Sequence, residues 1–337
     1  MSNQRRKDTD YLFLTAMLRS RETRMVTAER QQQMLDAPDF EECTKLLVDC
    51  GYPDLSGMTA REIETALAEH KAEILEELTR LCPEKAFCNI FRLKYDYHNA
   101  KTLIKAEGVG LDPETIHGIL SDAGTVPPQM LADAYYQERY MDLPSMLGRA
   151  MEEAKKILAR TGNPQLSDFA LDRAYFAEMK SITERMESPF LTNYIRTIID
   201  STNLKIAVRA LRMGKSLEFL QSALVPGGSI GVERLAGAAM TGDGLVQLFT
   251  NSIFDEAVRL GSSAVRGKSY TNFERACDNA MVQYLKGARL KCFGEESVIA
   301  YIAALEYEIT AVRIILIGKL SRIDSATIRE RLRDCYA

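Results

Sequence analysis

Apolar residues recur at steps of three and four along most of this chain, which is the spacing of an amphipathic helix. The stretch FCNIFRLKYDYHNAKTLIKA, residues 87–106, shows the pattern best. The residues of its apolar stripe are Ile90, Leu93, Tyr97, Ala100 and Ile104. A polar row runs along another side of the same helix. We therefore predict a helix over 84–107 that packs through one side and presents polar groups on another.

The same periodicity, with its caps and breaks, predicts helices along the whole chain. Asp39 suits an N-cap, and Thr59 with Glu62 forms a capping-box pattern ahead of a helix. No clear alternating strand pattern is found, so the predicted fold class is all-α. The other predicted helices cover 9–36, 40–50, 60–81, 112–121, 129–140, 142–160, 167–186, 189–213, 216–224, 231–240, 243–260, 270–288, 295–318 and 324–334.

A polar row returns on three of the long helices. Asp96-x-x-Asn99-x-Lys101 matches Asp200-x-x-Asn203-x-Lys205, and Glu308-x-x-Ala311-x-Arg313 follows, each about a hundred residues after the last. Four residues before each acid stand Arg92, Arg196 and Ala304. Ala311 departs from the pattern, because it stands where the first two copies have asparagine. The interval predicts a triplicated helical unit.

Two turn-rich stretches divide the three copies. DAGTVPP at 122–128 and VPGG at 225–228 combine proline and glycine as linkers do. We predict three similar helical-bundle domains over 1–124, 125–226 and 227–337. Three equivalent units can close around a pseudo-threefold axis, so that equivalent faces line a central hollow.

Composition excludes several classes of protein. Hydrophobic residues make up 46% and charged residues 27% of the 337 residues, which is ordinary for a soluble globular protein. The net charge is −4, so no sequence-wide attraction to nucleic acid is expected. The longest apolar run, 298–305, is too short to span a bilayer, and the basic start lacks the pattern of a signal peptide. The seven cysteines contain no CxxC spacing, so we expect reduced, structural thiols.

No catalytic or cofactor-binding set is found. Gly-Lys-Ser occurs at 214–216 and 267–269, but each lacks the preceding glycine and strand of a phosphate-binding loop. His98 is replaced by Thr202 and Thr310 in the other copies, which argues against a repeated base. Asp96, Asp200 and Glu308 serve either in hydrogen bonds and caps between helices or in binding, and the spacing favours the structural role.

Basic residues accumulate toward the ends of the three repeated helices. They are solvated charges that complement the helix dipole, or, if the three ends converge, an electropositive ring for an acidic partner. The candidate contact residues are Lys101, Lys105, Lys205, Arg209, Arg313 and Lys319.

Long stretches of the sequence resemble a known family. FRLKYDYHNAKTLIKA at 91–106, YLFLTAMLRSRETRMVTAERQQQML at 11–35 and EYEITAVRIILIGKL at 306–320 are similar to the C subunit of the V-type/A-type ATP synthase. The d subunit of the vacuolar ATPase belongs to the same family. The resemblance covers nearly the whole chain.

The resemblance implies a funnel-shaped, all-helical, non-catalytic rotor subunit of the central stalk. Such a subunit is a socket between the rotating shaft, made of D- and F-type subunits, and the membrane proteolipid ring. It implies one copy per complex, no cofactor, no nucleic acid and a cytoplasmic position that reaches the membrane only through the ring. A helical scaffold of another complex stays open as the alternative, and a helical enzyme would need an acid–base or metal set that we do not find.

Overall fold

The computed structural model describes residues 7–110, 116, 118–241 and 243–337, and these contain helices and no strand. The all-α prediction is therefore confirmed for the described residues. The helices, numbered in chain order, are α1 (Leu12–Glu22), α2 (Ala28–Asp36), α3 (Phe40–Val48), α4 (Ala60–Leu81), α5 (Ala86–Val109), α6 (Pro128–Tyr136), α7 (Ser145–Thr161), α8 (Pro164–Met186), α9 (Pro189–Arg212), α10 (Leu217–Ala223), α11 (Val232–Ala239), α12 (Gly244–Phe249), α13 (Asp255–Val265), α14 (Tyr270–Lys286), α15 (Glu295–Leu320) and α16 (Ser325–Arg331). Short 3₁₀ turns cover Asp8–Tyr11, Tyr140–Asp142 and Gly287–Leu290.

The predicted caps are present. Asp39 accepts a hydrogen bond from the Glu42 backbone N–H at 2.9 Å and starts α3. Thr59 and Glu62 form the reciprocal capping box that starts α4. These local contacts depend on residues three positions apart, which is why the sequence predicts them well.

Two of the predicted helices are interrupted. The stretch 9–36 is not one helix, because the chain leaves the helix after Glu22 and restarts at Ala28 with Thr27 as N-cap. The stretch 243–260 is split between Phe249 and Asp255, where the Ser252 hydroxyl accepts from the Phe254 N–H at 3.1 Å. Much of the predicted helix over 112–121 lies outside the described residues.

The chain forms two compact units. Unit 1 combines Met1–Cys88 with Phe249–Ala337, and unit 2 is Asn89–Leu248. The core of unit 1 contains Met34, Leu47, Leu67 and Val312, contributed by α2, α3, α4 and α15. The core of unit 2 contains Leu103, Tyr135, Met151 and Leu171, contributed by α5, α6, α7 and α8. The predicted domains 1–124, 125–226 and 227–337 stay predictions.

Helix α15 is the most deeply buried element. Every residue from Ser297 to Leu305 is buried, so this half of the helix is covered on all sides. No helix among the described residues is both long and apolar enough to cross a membrane. The apolar sequence of α15 is therefore explained by the protein core that surrounds it.

Close packing of α15 against α16 depends on a glycine. A Cβ added to Gly318 would lie 2.6 Å from Cδ1 of Ile328. We expect Gly318→Ala to lower the free energy of unfolding by about 1–3 kcal/mol, because Ile328 has to move in a packed core. The measurement is urea unfolding followed by circular dichroism.

Gly237 in α11 supplies the control. A Cβ added there meets nothing within 4 Å, so Gly237→Ala should raise stability by about 0.5–1 kcal/mol through helix propensity alone. Equal effects of the two substitutions would contradict the packing argument.

Candidate functional site

The first copy of the repeated row fastens a loop onto α5. The buried Asp96 carboxylate accepts hydrogen bonds from the Thr125 N–H at 3.1 Å, the Thr125 hydroxyl at 2.6 Å and the Val126 N–H at 3.0 Å. The Asn99 amide donates to the Ser121 carbonyl and accepts from the Ser121 N–H, both at 2.8 Å. We call this arrangement of one acid and one asparagine the Asp–Asn clasp.

The second copy repeats the clasp on α9. Asp200 accepts from the Ser229 N–H at 2.8 Å and from the Ser229 hydroxyl at 2.5 Å. Asn203 donates to the Val225 carbonyl at 2.7 Å and accepts from the Val225 N–H at 2.8 Å. In both clasps the asparagine partner lies 22 residues downstream, and the residue whose hydroxyl and N–H bind the acid lies 29 residues downstream. The first two copies of the repeated row therefore share a contact geometry as well as a sequence motif.

A glycine in each clasp lets the backbone approach the acid. A Cβ on Gly124 would lie 2.2 Å from Oδ1 of Asp96, and a Cβ on Gly228 would lie 2.2 Å from Oδ1 of Asp200. Arg92 also reaches the first loop, where it donates to the carbonyls of Ala123 and Gly124. Burial raises the pKa of Asp200, and the charge of the exposed Arg196 opposes that rise.

The third acid binds the N-terminal segment instead of a downstream loop. Glu308 on α15 accepts from the Val26 N–H at 2.7 Å and from the Tyr52 hydroxyl at 2.8 Å. Ala311, at the asparagine position, is buried and has no side-chain amide that could bind a backbone group. The Val26 contact accounts for the break in the predicted helix over 9–36, because this N–H is used by a carboxylate 282 residues away.

The three acids share one kind of target. Each accepts a hydrogen bond from a backbone N–H that lies one or two residues ahead of a helix N-cap. These residues are Val126 before Pro127, Ser229 before Gly231 and Val26 before Thr27. The acids at 96 and 200 thus hold the segments ahead of α6 and α11, and the acid at 308 holds the segment ahead of α2.

Burial raises the pKa of all three carboxyl groups. For Asp96 and Asp200 the hydrogen bonds from the clasp partly offset this effect. For Glu308 desolvation dominates over the bonds from Tyr52 and Val26, and the pKa rises from its ordinary 4.5 to about 7. Glu308 therefore changes its charge near neutral pH.

Four of the six candidate contact residues bind groups within their own unit. Lys101 pairs with Asp172, and Lys105 Nζ lies 2.7 Å from Asp168 Oδ2, so both bridge α5 to α8 in unit 2. In unit 1, Arg313 Nε lies 2.7 Å from Glu64 Oε2. Lys319 donates to the Leu35 and Ala37 carbonyls at 2.6 and 2.7 Å, which satisfies the C-terminal end of α2.

The remaining two candidates lie together. Lys205 and Arg209, one turn apart on α9, line a cleft of about 320 Å³ in unit 2 with Phe169 and Phe219. The two rings are 5.6 Å apart in a T-shaped contact. Lys215 Nζ lies 5.3 Å from the centre of the Phe219 ring. This cleft combines an apolar wall with positive charge, and sequence periodicity could not find it because α8, α9 and α10 all contribute.

The acids and asparagines of this site fasten segments of the chain to helices. Among the described residues, no three His, Cys, Asp or Glu side chains come together as metal ligands would. The acids and asparagines of the repeats are occupied by backbone groups and hydroxyl groups. The site is therefore best described as a scaffold of clasps that carries basic side chains at its helix ends.

The asparagine of a clasp is expected to be important for stability. Asn203→Ala removes a buried donor and acceptor and leaves the Val225 N–H and carbonyl unsatisfied, which should cost about 2–4 kcal/mol. Thr310→Ala is the control, because this exposed hydroxyl only bonds the Glu306 carbonyl of its own helix. Urea unfolding should show a large loss for the first variant and almost none for the second, and equal losses would refute the argument.

The raised pKa of Glu308 leads us to expect that the free energy of unfolding depends on pH. Its pKa is raised in the folded chain, so the folded state holds the proton more tightly and stability falls as pH rises from about 4.5 through about 7. The loss is at most about 3 kcal/mol. Glu308→Gln keeps an acceptor and cannot ionise, so its unfolding free energy should lack this decline between about pH 5 and about pH 8. Identical pH profiles for the two proteins would show that Glu308 does not titrate in this range.

Comparison with known proteins agrees with the resemblance seen in the sequence. The family model described as ATP synthase (C/AC39) subunit matches residues 14–331. The C subunit of the V-type sodium ATPase of Enterococcus hirae is 24% identical over 97% of this chain and 99% of its own length. The C subunit of the A-type ATP synthase of Methanocaldococcus jannaschii is 25% identical over 96% of this chain and 86% of its own length. The C subunit of the A-type ATP synthase of Methanothermobacter thermautotrophicus is 26% identical over 92% of this chain and 84% of its own length.

These matches identify the family of the chain. They extend over nearly the full length of the chain, so they cover all three copies of the repeated row. The predicted family is confirmed, and with it the prediction of a subunit that is not itself the catalyst. The chain belongs to the ATP synthase (C/AC39) subunit family.

Proposed function

We propose that this chain is a central-stalk rotor subunit that couples the rotating shaft of a V/A-type ATPase or ATP synthase to its membrane proteolipid ring. The observation that carries the proposal is the family match over residues 14–331. The partners are D- and F-type shaft subunits on one side and the ring on the other. The chain itself stays on the cytoplasmic side and reaches the membrane through the ring, with one copy in each complex.

The proposed architecture is a pseudo-threefold funnel of the domains 1–124, 125–226 and 227–337. The order of the acid contacts supports it, since Asp96 and Asp200 bind residues near the start of the following domain and Glu308 binds Val26 in the first domain. A linear row of three units would leave the third acid without such a target. The presence of the first and last stretches of the chain in one compact unit is consistent with this closure.

Transmission of torque requires a body that does not deform. Close-packed helices have few voids and resist strain, and the buried clasps fix the loops that join them. A carboxylate hydrogen-bonded to two or three groups is costly to remove from its partners. The clasps therefore serve the proposed function by making the connections between repeats stiff.

The shaft or ring contacts are proposed to use the basic helix ends. Lys205 and Arg209 are the strongest candidates, because they line an apolar cleft where an acidic partner segment can be desolvated. Lys101, Lys105 and Arg313 are half-buried or exposed in ion pairs and can exchange partners at small cost. Lys319 is the weakest candidate, because its ammonium group binds two backbone carbonyls inside unit 1.

Charge reversal tests this surface. We expect Lys205→Glu with Arg209→Glu to weaken binding to the purified shaft subunits or to the ring by about tenfold or more, since an acidic partner would be repelled. The measurement is co-purification at low and at raised salt. Lys156→Glu is the control, because Lys156 is an exposed α7 residue paired with Glu152.

Native mass spectrometry separates the proposal from its alternative. A one-to-one complex of this chain with the shaft subunits supports the rotor role. Absence of any such complex would favour a scaffold of another assembly. Co-purification of the charge-reversed variant that equals wild type at raised salt would leave the rotor role standing and remove Lys205 and Arg209 from the contact surface.

A further inference from the structure

A polar cavity of about 340 Å³ lies within unit 1. It is bounded by α2, α13, α14 and the stretch 329–334, which includes the end of α16. Most of the side chains that line it carry a charge or an amide group. Its volume is at the lower end of the range for ligand pockets, so its size suits a small molecule.

Two arginines of this cavity have no carboxylate partner among the described residues. Arg275 of α14 donates to the Glu330 carbonyl over a long distance of 3.4 Å. Arg329 of α16 donates to the amide oxygen of Gln32 at 2.9 Å. A guanidinium group carries several N–H donors, so each arginine keeps donors for a ligand.

A buried amide lines the same cavity. Gln31 of α2 is 8% exposed, and its side chain makes no hydrogen bond with the described residues. Buried amides are normally satisfied by protein groups, water or a ligand. Asn272, in the first turn of α14, brings a second amide to the lining. The cavity therefore has neutral donors beside its two guanidinium groups.

The cavity also contains acceptors. The Asp334 carboxylate accepts from the Asn279 amide at 2.8 Å and keeps lone pairs for further donors. Glu256, in the first turn of α13, is exposed and lines the same cavity. The third arginine, Arg333, is compensated by Asp278, whose Oδ2 lies 2.9 Å from its Nε. The two lining acids repel a bare anion, so they favour a ligand that also has hydroxyl groups to donate to them.

We propose that this cavity binds a small phosphate monoester whose organic part carries hydroxyl groups, such as a sugar phosphate. Arg275 and Arg329 bind the phosphate, which has enough oxygens and charge for two guanidinium groups, whereas one guanidinium fork already fills a carboxylate. Gln31 donates from its amide, and the carboxylates of Glu256 and Asp334 accept from the hydroxyl groups. This inference does not depend on the rotor role.

Isothermal titration calorimetry of the full-length chain tests the proposal. The probes are ribose 5-phosphate, inorganic phosphate, ribose and succinate. We expect ribose 5-phosphate to bind with a Kd below about 1 mM and about tenfold or more tightly than each of the other three, because only it offers both kinds of group. Raised salt should weaken this binding, since it screens the guanidinium groups.

Substitution of the arginines tests which side chains hold the phosphate. Arg275→Gln and Arg329→Gln should each weaken the binding of ribose 5-phosphate by about tenfold or more, since each removes charge-assisted hydrogen bonds. Arg259→Gln is the matched control, because Arg259 lies on α13, does not line the cavity and pairs with Asp255. Its affinity for ribose 5-phosphate should equal that of wild type. Circular dichroism establishes that the variants are folded.

Gln31→Leu separates a binding role from a structural one. It removes a buried amide that has no partner among the described residues, so the thermal midpoint of unfolding should stay the same or rise. The affinity for ribose 5-phosphate should fall about threefold or more. A lower midpoint with unchanged affinity would remove Gln31 from the site and contradict the proposal.

Three further results would overturn the proposal. One is the absence of ribose 5-phosphate binding at millimolar concentration in both calorimetry and ligand-observed NMR. Another is inorganic phosphate or succinate that binds as tightly as the ester, because the cavity would then be a general anion site. The last is unchanged affinity in both Arg275→Gln and Arg329→Gln, because the ester would then bind elsewhere.

Discussion

A carboxylate that is removed from water has to receive hydrogen bonds from nearby donors, and the two buried carboxylates of Asp96 and Asp200 and the half-buried one of Glu308 set the connections of this fold. An unpaired charge in a helical core costs several kcal/mol, so the chain has to deliver backbone N–H groups to each acid. Those N–H groups are available only where the backbone is not helical. The acids at 96, 200 and 308 therefore determine where three helices begin, and they stabilise the turns that precede them.

The sequence predicts what depends on neighbouring residues. The helix over 60–81, the capping box at Thr59 and the three long helices follow from periodicity and from side chains three or four positions apart. The repeated row is also visible in the sequence, because the spacing between its copies is enough to recognise it. The break between α1 and α2 is not visible, since Glu308 lies far away in sequence and a helix-forming pattern continues through the region.

The basic residues also show which features the sequence predicts and which it does not. Their accumulation at the helix ends can be counted in the sequence, but their partners cannot. Lys319 and Arg209 both lie in the last turn of a repeated helix, yet one binds the carbonyl groups at the end of α2 and the other lines a cleft beside Phe169. The helix dipole alone would treat them alike. Tertiary neighbours decide whether a basic side chain completes the fold or lines a cleft.

The Val26–Glu308 contact also fixes an order of assembly during synthesis of the chain. The two Asp–Asn clasps join residues at most 30 positions apart, so each can form soon after its loop leaves the ribosome. The third acid is translated 282 residues after the segment that it binds, and closing so long a loop is entropically costly and slow. Unit 2 can therefore fold before α15 is available to bind the segment around Val26. The segment around Val26 is thus made long before the acid that fastens it in place.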